Sequence, residues 1–255
     1  MSKPIVHIFP CLKDNYGFLL HDPDTGETAT IDTPEASRIL AEADAKGWKI
    51  TQIWNTHWHP DHAGGNADIV AKTGAKVIGP KEVERAAPAP DRIAGEGDIV
   101  KLGKISATVM ETPGHTLGHI VYHLPDAHIA FVGDTLFALG CGRLFEGTPQ
   151  QMWTSLDRLR ALPGDTTVYC AHEYTESNAK FALAVDADNA DLRAYAETVT
   201  AKRARGEPTV PTTIAAEKRA NPFLRADDPA LQKFVGHPGD AVATFAEVRE
   251  RKNRS

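Results

Sequence analysis

Short apolar runs recur throughout the first two thirds of the chain, and β-branched residues are frequent in them. Gly, Pro or Asp residues bound most of these runs, a pattern typical of strands that end in turns. The predicted strands are Ile5–Phe9, Phe18–Leu20, Ala29–Asp32, Ile50–Asn55, Lys76–Ile78, Ile99–Leu102, Ile105–Glu111, Ile120–Leu124, Ile129–Gly133 and Thr167–Cys170.

Helical patterns lie between several of these strands. Thr33 and Pro34 predict an N-cap and first helical position, and Gly47 predicts the end of that helix. A second helix is predicted over residues 66–72, and a third from Thr148-Pro149 to about Leu162. Strands alternating with helices predict a mixed α/β sheet protein.

The pattern changes after Glu176, where Ala, Glu, Arg and Lys dominate the sequence. We therefore predict a domain boundary near residues 171–176, with a catalytic domain over residues 1–172 and a helical domain over residues 173–255. Helices are expected in the second domain at Asn178–Val185, Ala190–Arg205, Thr212–Arg219 and Asp240–Lys252.

Charge and composition narrow the classes of partner. The formal net charge of -6 argues against a general binder of nucleic acid or membrane surfaces. Apolar runs fall short of the roughly 20 residues that span a bilayer, and Ile5–Phe9 reads as a strand and not as a leader. The three cysteines, Cys11, Cys141 and Cys170, are odd in number and widely spaced. We expect a cytoplasmic protein, and a monomer.

One loop, residues 56–65, contains several side chains that commonly bind metals, and it is called the metal loop below. His57, His59, Asp61 and His62 follow the predicted strand Ile50–Asn55 and precede a helix. Imidazole and carboxylate groups together suit zinc, iron or manganese. A lone His is usually an ordinary surface or core residue, but this grouping predicts a metal site.

Three later residues stand at strand ends that can complete a two-metal site. His115 follows Ile105–Glu111, Asp134 ends the run Phe131–Asp134, and His172 follows Thr167–Cys170. A nearby Gly or Pro lets the backbone turn there.

Other polar residues have weaker signals. His119 is a partner of the ligands or a strand-start residue, and we favour a role other than ligand. Asp32 is either a turn residue or a hydrogen-bond partner of the metal loop. The remaining histidines are interpreted as ordinary surface or core residues: His7, His21, His123, His128 and His237.

These ligands resemble, in their order, the signature of the metallo-β-lactamase superfamily. Within it the chain is similar to the glyoxalase II (hydroxyacylglutathione hydrolase) family over essentially its whole length. The narrower resemblance rests on Leu12–Tyr16, Thr56–Gly65, Gly133–Phe137, Gly140–Thr148, Cys170–Thr175, Gly206–Pro211, Asn221–Arg225 and Val248–Lys252.

The resemblance implies a four-layer αββα metallo-β-lactamase-like sandwich with a C-terminal helical domain. It also implies two divalent ions, with zinc expected and iron or manganese as alternatives. The implied ligands are His57, His59 and His115 for one ion, Asp61, His62 and His172 for the other, and Asp134 as the bridge.

The implied substrate is a glutathione thioester, S-(R)-lactoylglutathione, hydrolysed to lactate and glutathione in methylglyoxal detoxification. Some family members have Lys at the position of Arg143, so this chain keeps the positive charge there. Some have Tyr at the position of Phe145, so this chain lacks the hydroxyl there. The positions implied to contact glutathione are Arg143, Phe145, Tyr174, Arg249 and Lys252.

The expected nucleophile is a hydroxide that bridges the two ions, so no protein nucleophile is predicted. A thiolate leaves readily, which favours a thioester over an amide. Three other functions remain possible from the residues: a persulfide dioxygenase with a single iron, a lactonase or β-lactamase, and a non-catalytic metal-binding module. The seven filled ligand positions argue against the dioxygenase, which needs fewer ligands. The helical tail argues against the lactonase or β-lactamase. His and Asp ligands on loops argue against a non-catalytic module.

Overall fold

The computed structural model describes residues 2–255, which form two compact units. The first contains the described chain up to Glu111 together with Gly118–Gly133, and the second contains Thr112–Leu117 and Asp134–Ser255. The predicted domain division at residue 172 stays a prediction, because a compact unit and a functional domain need not share a boundary.

The first unit contains a six-stranded sheet in the order β1 to β6. Its first three strands are antiparallel, and β3 to β6 run parallel to one another. Every residue of β2 is buried, as expected of a strand covered on both faces. The strands are β1 Ile5–Cys11, β2 Asn15–His21, β3 Glu27–Ile31, β4 Lys49–Trp54, β5 Lys76–Gly79 and β6 Arg92–Ile93.

Four antiparallel strands of the first unit form the second sheet layer, and they match the predicted strands. The ring of Phe18 lies 5.9 Å from that of Phe131, and Trp54 lies 5.1 Å from Tyr122, so the two layers pack face to face. The strands are β7 Ile99–Leu102, β8 Ile105–Glu111, β9 Ile120–Leu124 and β10 Ile129–Gly133.

Helices α1 (Ala36–Lys46) and α3 (Asn66–Thr73) cover the outer face of the first sheet. Their buried Ile39 and Ile69 join one apolar core with sheet residues such as Ile53. The four-residue helix α2, Pro60–Ala63, was not predicted and lies in the metal loop. This unit thus supplies a helix layer and two sheet layers, with the loop at the end of β4.

The predicted start of α1 is wrong. The helix begins at Ala36, with Glu35 as the N-cap, whereas Thr33 was expected in that role. Thr33 instead donates its hydroxyl to Asn66 Oδ1 (2.7 Å) and its N–H to His62 O (2.8 Å), which ties it to the metal loop. The predicted end is confirmed, since Gly47 adopts the left-handed conformation with φ 68°.

The second unit is mainly helical. Thr148 and Gln151 form a capping box at the start of α4, as the Thr-Pro pattern predicted in part. An apolar cluster that includes Leu139, Ala182 and Leu192 packs its helices together. The helices are α4 Pro149–Arg160, α5 Thr175–Val185, α6 Ala190–Ala204, α7 Ile214–Ala220, α8 Pro229–Val235 and α9 Ala241–Asn253.

Short strand pairs complete the second unit. β11 (Leu136–Phe137) and β12 (Gly140–Cys141) form a hairpin that was not predicted. β13 (Thr167–Cys170) pairs with β14 (Thr212–Thr213), so the helix predicted from Thr212 begins two residues later, at Ile214. The Thr213 hydroxyl accepts from Ala216 N and caps that helix, which is why its first turn cannot start earlier.

Within residues 2–255, no helix is both long and apolar enough to cross a membrane.

Candidate metal centre

The loop after β4 brings together the four ligand candidates of the first unit. The imidazole nitrogens His57 Nε2 and His59 Nδ1 lie 3.0 Å apart. His62 Nε2 lies 3.4 Å from Asp61 Oδ2. His57 and His62 are buried, whereas Asp61 is half-buried, with 40% of its side chain exposed.

Asp32 is a hydrogen-bond partner of the metal loop, which decides between its two interpretations. Its Oδ1 accepts from Thr56 N (2.7 Å), and its Oδ2 lies 2.8 Å from both Thr56 Oγ1 and His62 Nδ1. The residue is 5% exposed, with a left-handed backbone at φ 57°. Because Nδ1 of His62 is engaged by a carboxylate, Nε2 is the nitrogen left to bind an ion.

Thr56 extends this arrangement to His57. Its hydroxyl donates to Asp32 and lies 3.0 Å from His57 Nδ1. A hydroxyl that donates to a carboxylate can accept from an imidazole N–H, so Nδ1 of His57 carries the proton and Nε2 keeps a lone pair. Asp32 therefore orients two ligand candidates, one of them through Thr56.

Asn15 is a residue of this site to which the sequence assigned no role. Its Nδ2 donates to Asp61 Oδ2 (3.1 Å) and to the Asp61 carbonyl (3.3 Å). Asn15 belongs to the motif Leu12–Tyr16, which signalled the family. Its sequence separation of 46 residues from Asp61 gave no indication of contact.

The second unit brings together the other three candidates. Asp134 Oδ2 lies 3.4 Å from His115 Nε2, and Asp134 Oδ1 lies 3.4 Å from His172 Nε2. His115 Nδ1 donates to the carbonyl of Arg143 (2.8 Å), which directs Nε2 towards Asp134. Each carboxylate oxygen of Asp134 thus stands beside one imidazole, as a bridging ligand requires.

Donor spacing in both clusters fits a small divalent ion. Ligand atoms about 2.1 Å from one tetrahedral ion lie about 3.4 Å from each other. The observed pairs are separated by 3.0 to 3.4 Å and consist of imidazole nitrogens and carboxylate oxygens. These donors suit zinc, iron and manganese alike.

His119 packs within the first unit without joining these clusters. It is buried, and its ring lies 4.8 Å from that of His57 at an angle of 28°. Within residues 2–255, several His and Asp side chains lie close enough together to hold one ion, and His119 is not among them. This placement agrees with the favoured role for His119, which is a role other than ligand.

Two aromatic residues predicted to contact glutathione lie against metal-ligand candidates of the same unit. The Phe145 ring is 63% exposed and stands edge-on to His115 at 5.2 Å. Tyr174 stacks on His172 at 4.7 Å with an interplanar angle of 2°. Phe145 lacks the hydroxyl of a tyrosine, so it offers an apolar face beside His115.

The three predicted cations also lie in the second unit. Arg249 is buried, and its Nη1 donates to the carbonyl of Cys141 (2.9 Å). Lys252 Nζ donates to the carbonyl of Ser177 (3.1 Å). Burial lowers the pKa of Lys252, and the charges of Arg249 and Arg143 lower it further. This local positive potential favours an anionic ligand.

The cysteines are unsuited to nucleophilic catalysis. All three are free and buried, and burial raises the pKa of Cys11 and of Cys170 to about 12 and that of Cys141 to about 11. They stay protonated at neutral pH and are therefore poor nucleophiles.

Comparison with protein families assigns both parts of the chain. The metallo-beta-lactamase superfamily model matches residues 24–172, and the model for the hydroxyacylglutathione hydrolase C-terminus matches residues 173–255. The hydroxyacylglutathione hydrolase of Maricaulis maris is 63% identical, over 99% of each chain. The chain belongs to the hydroxyacylglutathione hydrolase family. The hydroxyacylglutathione hydrolase of Erythrobacter litoralis is 62% identical, over 97% of this chain and 98% of its own length.

Solved structures agree with the family's fold. ETHE1 from Myxococcus xanthus is 27% identical, with a TM-score of 0.70 over 98% of this chain and 91% of its own. The di-iron-bound form of TTHA1623 is 24% identical, with a TM-score of 0.62 over 86% of this chain and 100% of its own. The predicted α/β metallo-β-lactamase fold with a C-terminal helical domain is confirmed. Membership of the hydroxyacylglutathione hydrolases, at 63% identity, does not favour the dioxygenase and lactonase alternatives.

Proposed function

We propose that this protein hydrolyses the thioester S-(R)-lactoylglutathione to lactate and glutathione, as part of methylglyoxal detoxification. The observation that carries the proposal is the match to named hydroxyacylglutathione hydrolases over the whole chain, at 63% identity for the Maricaulis maris enzyme. The proposal is supported by groups of His and Asp side chains whose ligand atoms lie within 4.8 Å of one another and could hold a metal ion. No second function has an observation of its own in its favour.

We propose the family's ligand pattern for the metal centre, with zinc as the expected metal and iron or manganese as alternatives. The pairings within each unit support it: His57 with His59, Asp61 with His62, and Asp134 between His115 and His172. In the proposal His57, His59 and His115 hold one ion, Asp61, His62 and His172 hold the other, and Asp134 bridges them.

A pair of divalent ions, when bound, activates water at neutral pH and polarises the carbonyl under attack. The protein's own residues fix the geometry around that chemistry. Asp32 and the Arg143 carbonyl keep the protons of His62 and His115 on Nδ1, so that both rings present Nε2. The leaving thiolate, with a thiol pKa of about 8.5, needs little help from a protein acid.

Substrate binding is proposed to involve Arg143, Phe145, Tyr174, Arg249 and Lys252. The cations Arg143 and Lys252 match the carboxylates of glutathione. The aromatic ring of Phe145 offers apolar contact where other family members place a tyrosine. We also propose that residues 1–172 act as the catalytic domain and residues 173–255 as the substrate-binding domain, in a monomer within a reducing compartment.

Metal removal tests the proposed reaction. Purified protein should hydrolyse S-(R)-lactoylglutathione, lose the activity on dialysis against a strong chelator, and regain it when zinc, iron or manganese is added back. Metal analysis before and after dialysis should show about two ions bound and then lost. Metal-loaded protein that leaves this thioester intact would contradict the proposal, and oxygen uptake with glutathione persulfide would favour the dioxygenase instead.

Replacement of Lys252 by glutamine should raise KM for the thioester about tenfold and leave kcat within about twofold. A charged hydrogen bond to a carboxylate is worth about 1.5–3 kcal/mol, and its loss in both ground and transition state appears in KM. Steady-state kinetics measure the effect. Lys180→Gln is the matched control, because Lys180 is exposed on helix α5 of the same unit. An unchanged KM in Lys252→Gln would exclude a binding role for this lysine.

A further inference from the structure

The segment between Asp134 and Arg143 folds back on itself through the β11–β12 hairpin. On its return, Gly142 packs so closely on the Asp134 carbonyl that any added Cβ would clash with it. The next carbonyl, that of Arg143, accepts from His115 Nδ1. The shape of this hairpin therefore fixes the backbone of one ligand candidate and the ring orientation of another.

Two side chains of helix α7 and its C-cap hold the tip of the hairpin. Asn221 Nδ2 donates to the carbonyls of Phe137 (3.2 Å) and Gly140 (3.0 Å). Glu217 Oε2 accepts from Leu139 N (2.8 Å) and from Asn221 Nδ2 (2.9 Å). Leu139 has φ 57°, a left-handed conformation that a bulky residue adopts only when its surroundings impose it.

Two further side chains of the helical region also bind backbone carbonyls of the hairpin. Asn178 Nδ2 donates to the Ala138 carbonyl (3.1 Å), and Arg249 Nη1 donates to that of Cys141 (2.9 Å). Side chains of the helical region thus bind one backbone N–H or carbonyl of each residue from 137 to 141. A hairpin of two-residue strands gains little order from its own ladder, so these contacts determine its shape.

Burial of the Glu217 carboxylate costs desolvation free energy, which only its hydrogen bonds can offset. The carboxylate is fully buried, and its other oxygen accepts from Thr212 Oγ1 (2.7 Å) and Tyr195 OH (3.1 Å). The four donors include no cation. A buried carboxylate with neutral donors only is retained for geometry more readily than for stability.

We propose that Glu217 and Asn221 are positioning residues of the metal centre, which hold the 136–141 hairpin so that Asp134 and His115 keep their ligand geometry. The helical domain then contributes to metal retention as well as to substrate binding. This inference rests on the proposed metal centre, and its catalytic consequence rests on the proposed thioester hydrolysis.

Asn221→Asp tests the contact directly. The substitution keeps the shape but turns an N–H donor into an oxygen that faces the carbonyls of Phe137 and Gly140 and the Glu217 carboxylate. We expect the dissociation constant for zinc, measured by chelator competition, to rise at least about tenfold. Asn189→Asp is the matched control, because Asn189 Nδ2 donates to Arg219 O and Asp186 Oδ2, outside the hairpin.

Two substitutions of Glu217 distinguish the effect of its hydrogen bonds from the effect of its packing. In Glu217→Gln the amide oxygen still accepts from Leu139 N and Asn221, while the amide group donates to the hydroxyls of Thr212 and Tyr195, which can rotate to accept. Zinc affinity should stay within about twofold of the parent protein. Glu217→Leu removes every acceptor and should weaken zinc at least about tenfold.

Metal-free thermal unfolding is measured for each variant. Asn221→Asp and Glu217→Leu would overturn the inference if they destabilised the metal-free protein but bound zinc as the parent does. If either fails to fold, the zinc affinity of Asn178→Ala decides the matter, because this substitution removes the bond to the Ala138 carbonyl and the packing of Asn178 on Gly140. A several-fold loss of zinc affinity supports positioning, and an unchanged affinity refutes it. A parent protein that binds zinc without hydrolysing the thioester refutes the proposed function, while the zinc comparison still stands.

Discussion

Asp134→Asn is expected to lower kcat/KM for S-(R)-lactoylglutathione by more than about a hundredfold. Substitution of a residue that only hydrogen-bonds to a metal ligand already lowers metal affinity or activity by about 10–100-fold. The two oxygens of the Asp134 carboxylate each stand 3.4 Å from a His Nε2. Asparagine keeps one oxygen and places an NH₂ group, which cannot bind an ion, on the other side. Loss of the negative charge further weakens the hold on two cations.

Metal analysis should accompany the kinetics of Asp134→Asn. We expect the bound metal to fall from about two ions to about one, because a bridging ligand serves both positions. Asp126→Asn is the control, since Asp126 is exposed on the short turn before β10. An Asp134→Asn protein with two ions and near-parental kcat/KM would remove Asp134 from the proposed ligand set.

Asp32→Asn is expected to weaken metal binding by about 10–100-fold without unfolding the protein. Asparagine tolerates the left-handed backbone that Asp32 adopts at φ 57°. Its single oxygen cannot accept from both Thr56 N and His62 Nδ1, which the carboxylate does at 2.7 and 2.8 Å. An NH₂ group facing His62 Nδ1 favours the tautomer with the proton on Nε2, where the ion would bind.

Chelator competition measures this change in Asp32→Asn, and excess metal should restore most of kcat, because the ligands themselves are intact. Asp22→Asn is a matched control. Asp22 is also buried, and it accepts from Lys104 N (2.7 Å) and Asp24 N (2.9 Å), outside the metal loop. Equal metal affinity in Asp32→Asn and the parent protein would show that Asp32 has only a structural role.

Local sequence patterns predicted most regular elements and all of the residues placed in the two clusters. The strands β7, β8, β9 and β13 have the predicted bounds, because their apolar runs end at polar or turn residues that also end the strand. The ligand candidates were detectable because three His and one Asp within six positions have no simple packing explanation.

Errors arose where tertiary contacts override a local preference. Thr33 has the chemistry of an N-cap, but its hydroxyl and N–H bind Asn66 and His62, so the helix starts after Glu35. Thr212 and Thr213 were assigned to a helix, but they pair with Val168 and Thr167 as a strand. Pairing with a distant segment leaves no periodic trace in the sequence.

The sequence by itself determined the family, the fold class and the candidate metal-binding side chains, because these depend on residue types in a fixed order. Only the tertiary structure decided how the donors are oriented. Asp32, Asn15 and the Arg143 carbonyl each reach their partners across 28 to 46 residues of chain. Glu217 is a surface-like residue in sequence, yet folding buries it against Leu139, 78 positions away. Hydrogen-bond geometry depends on distance and angle in space, which residue order alone does not specify.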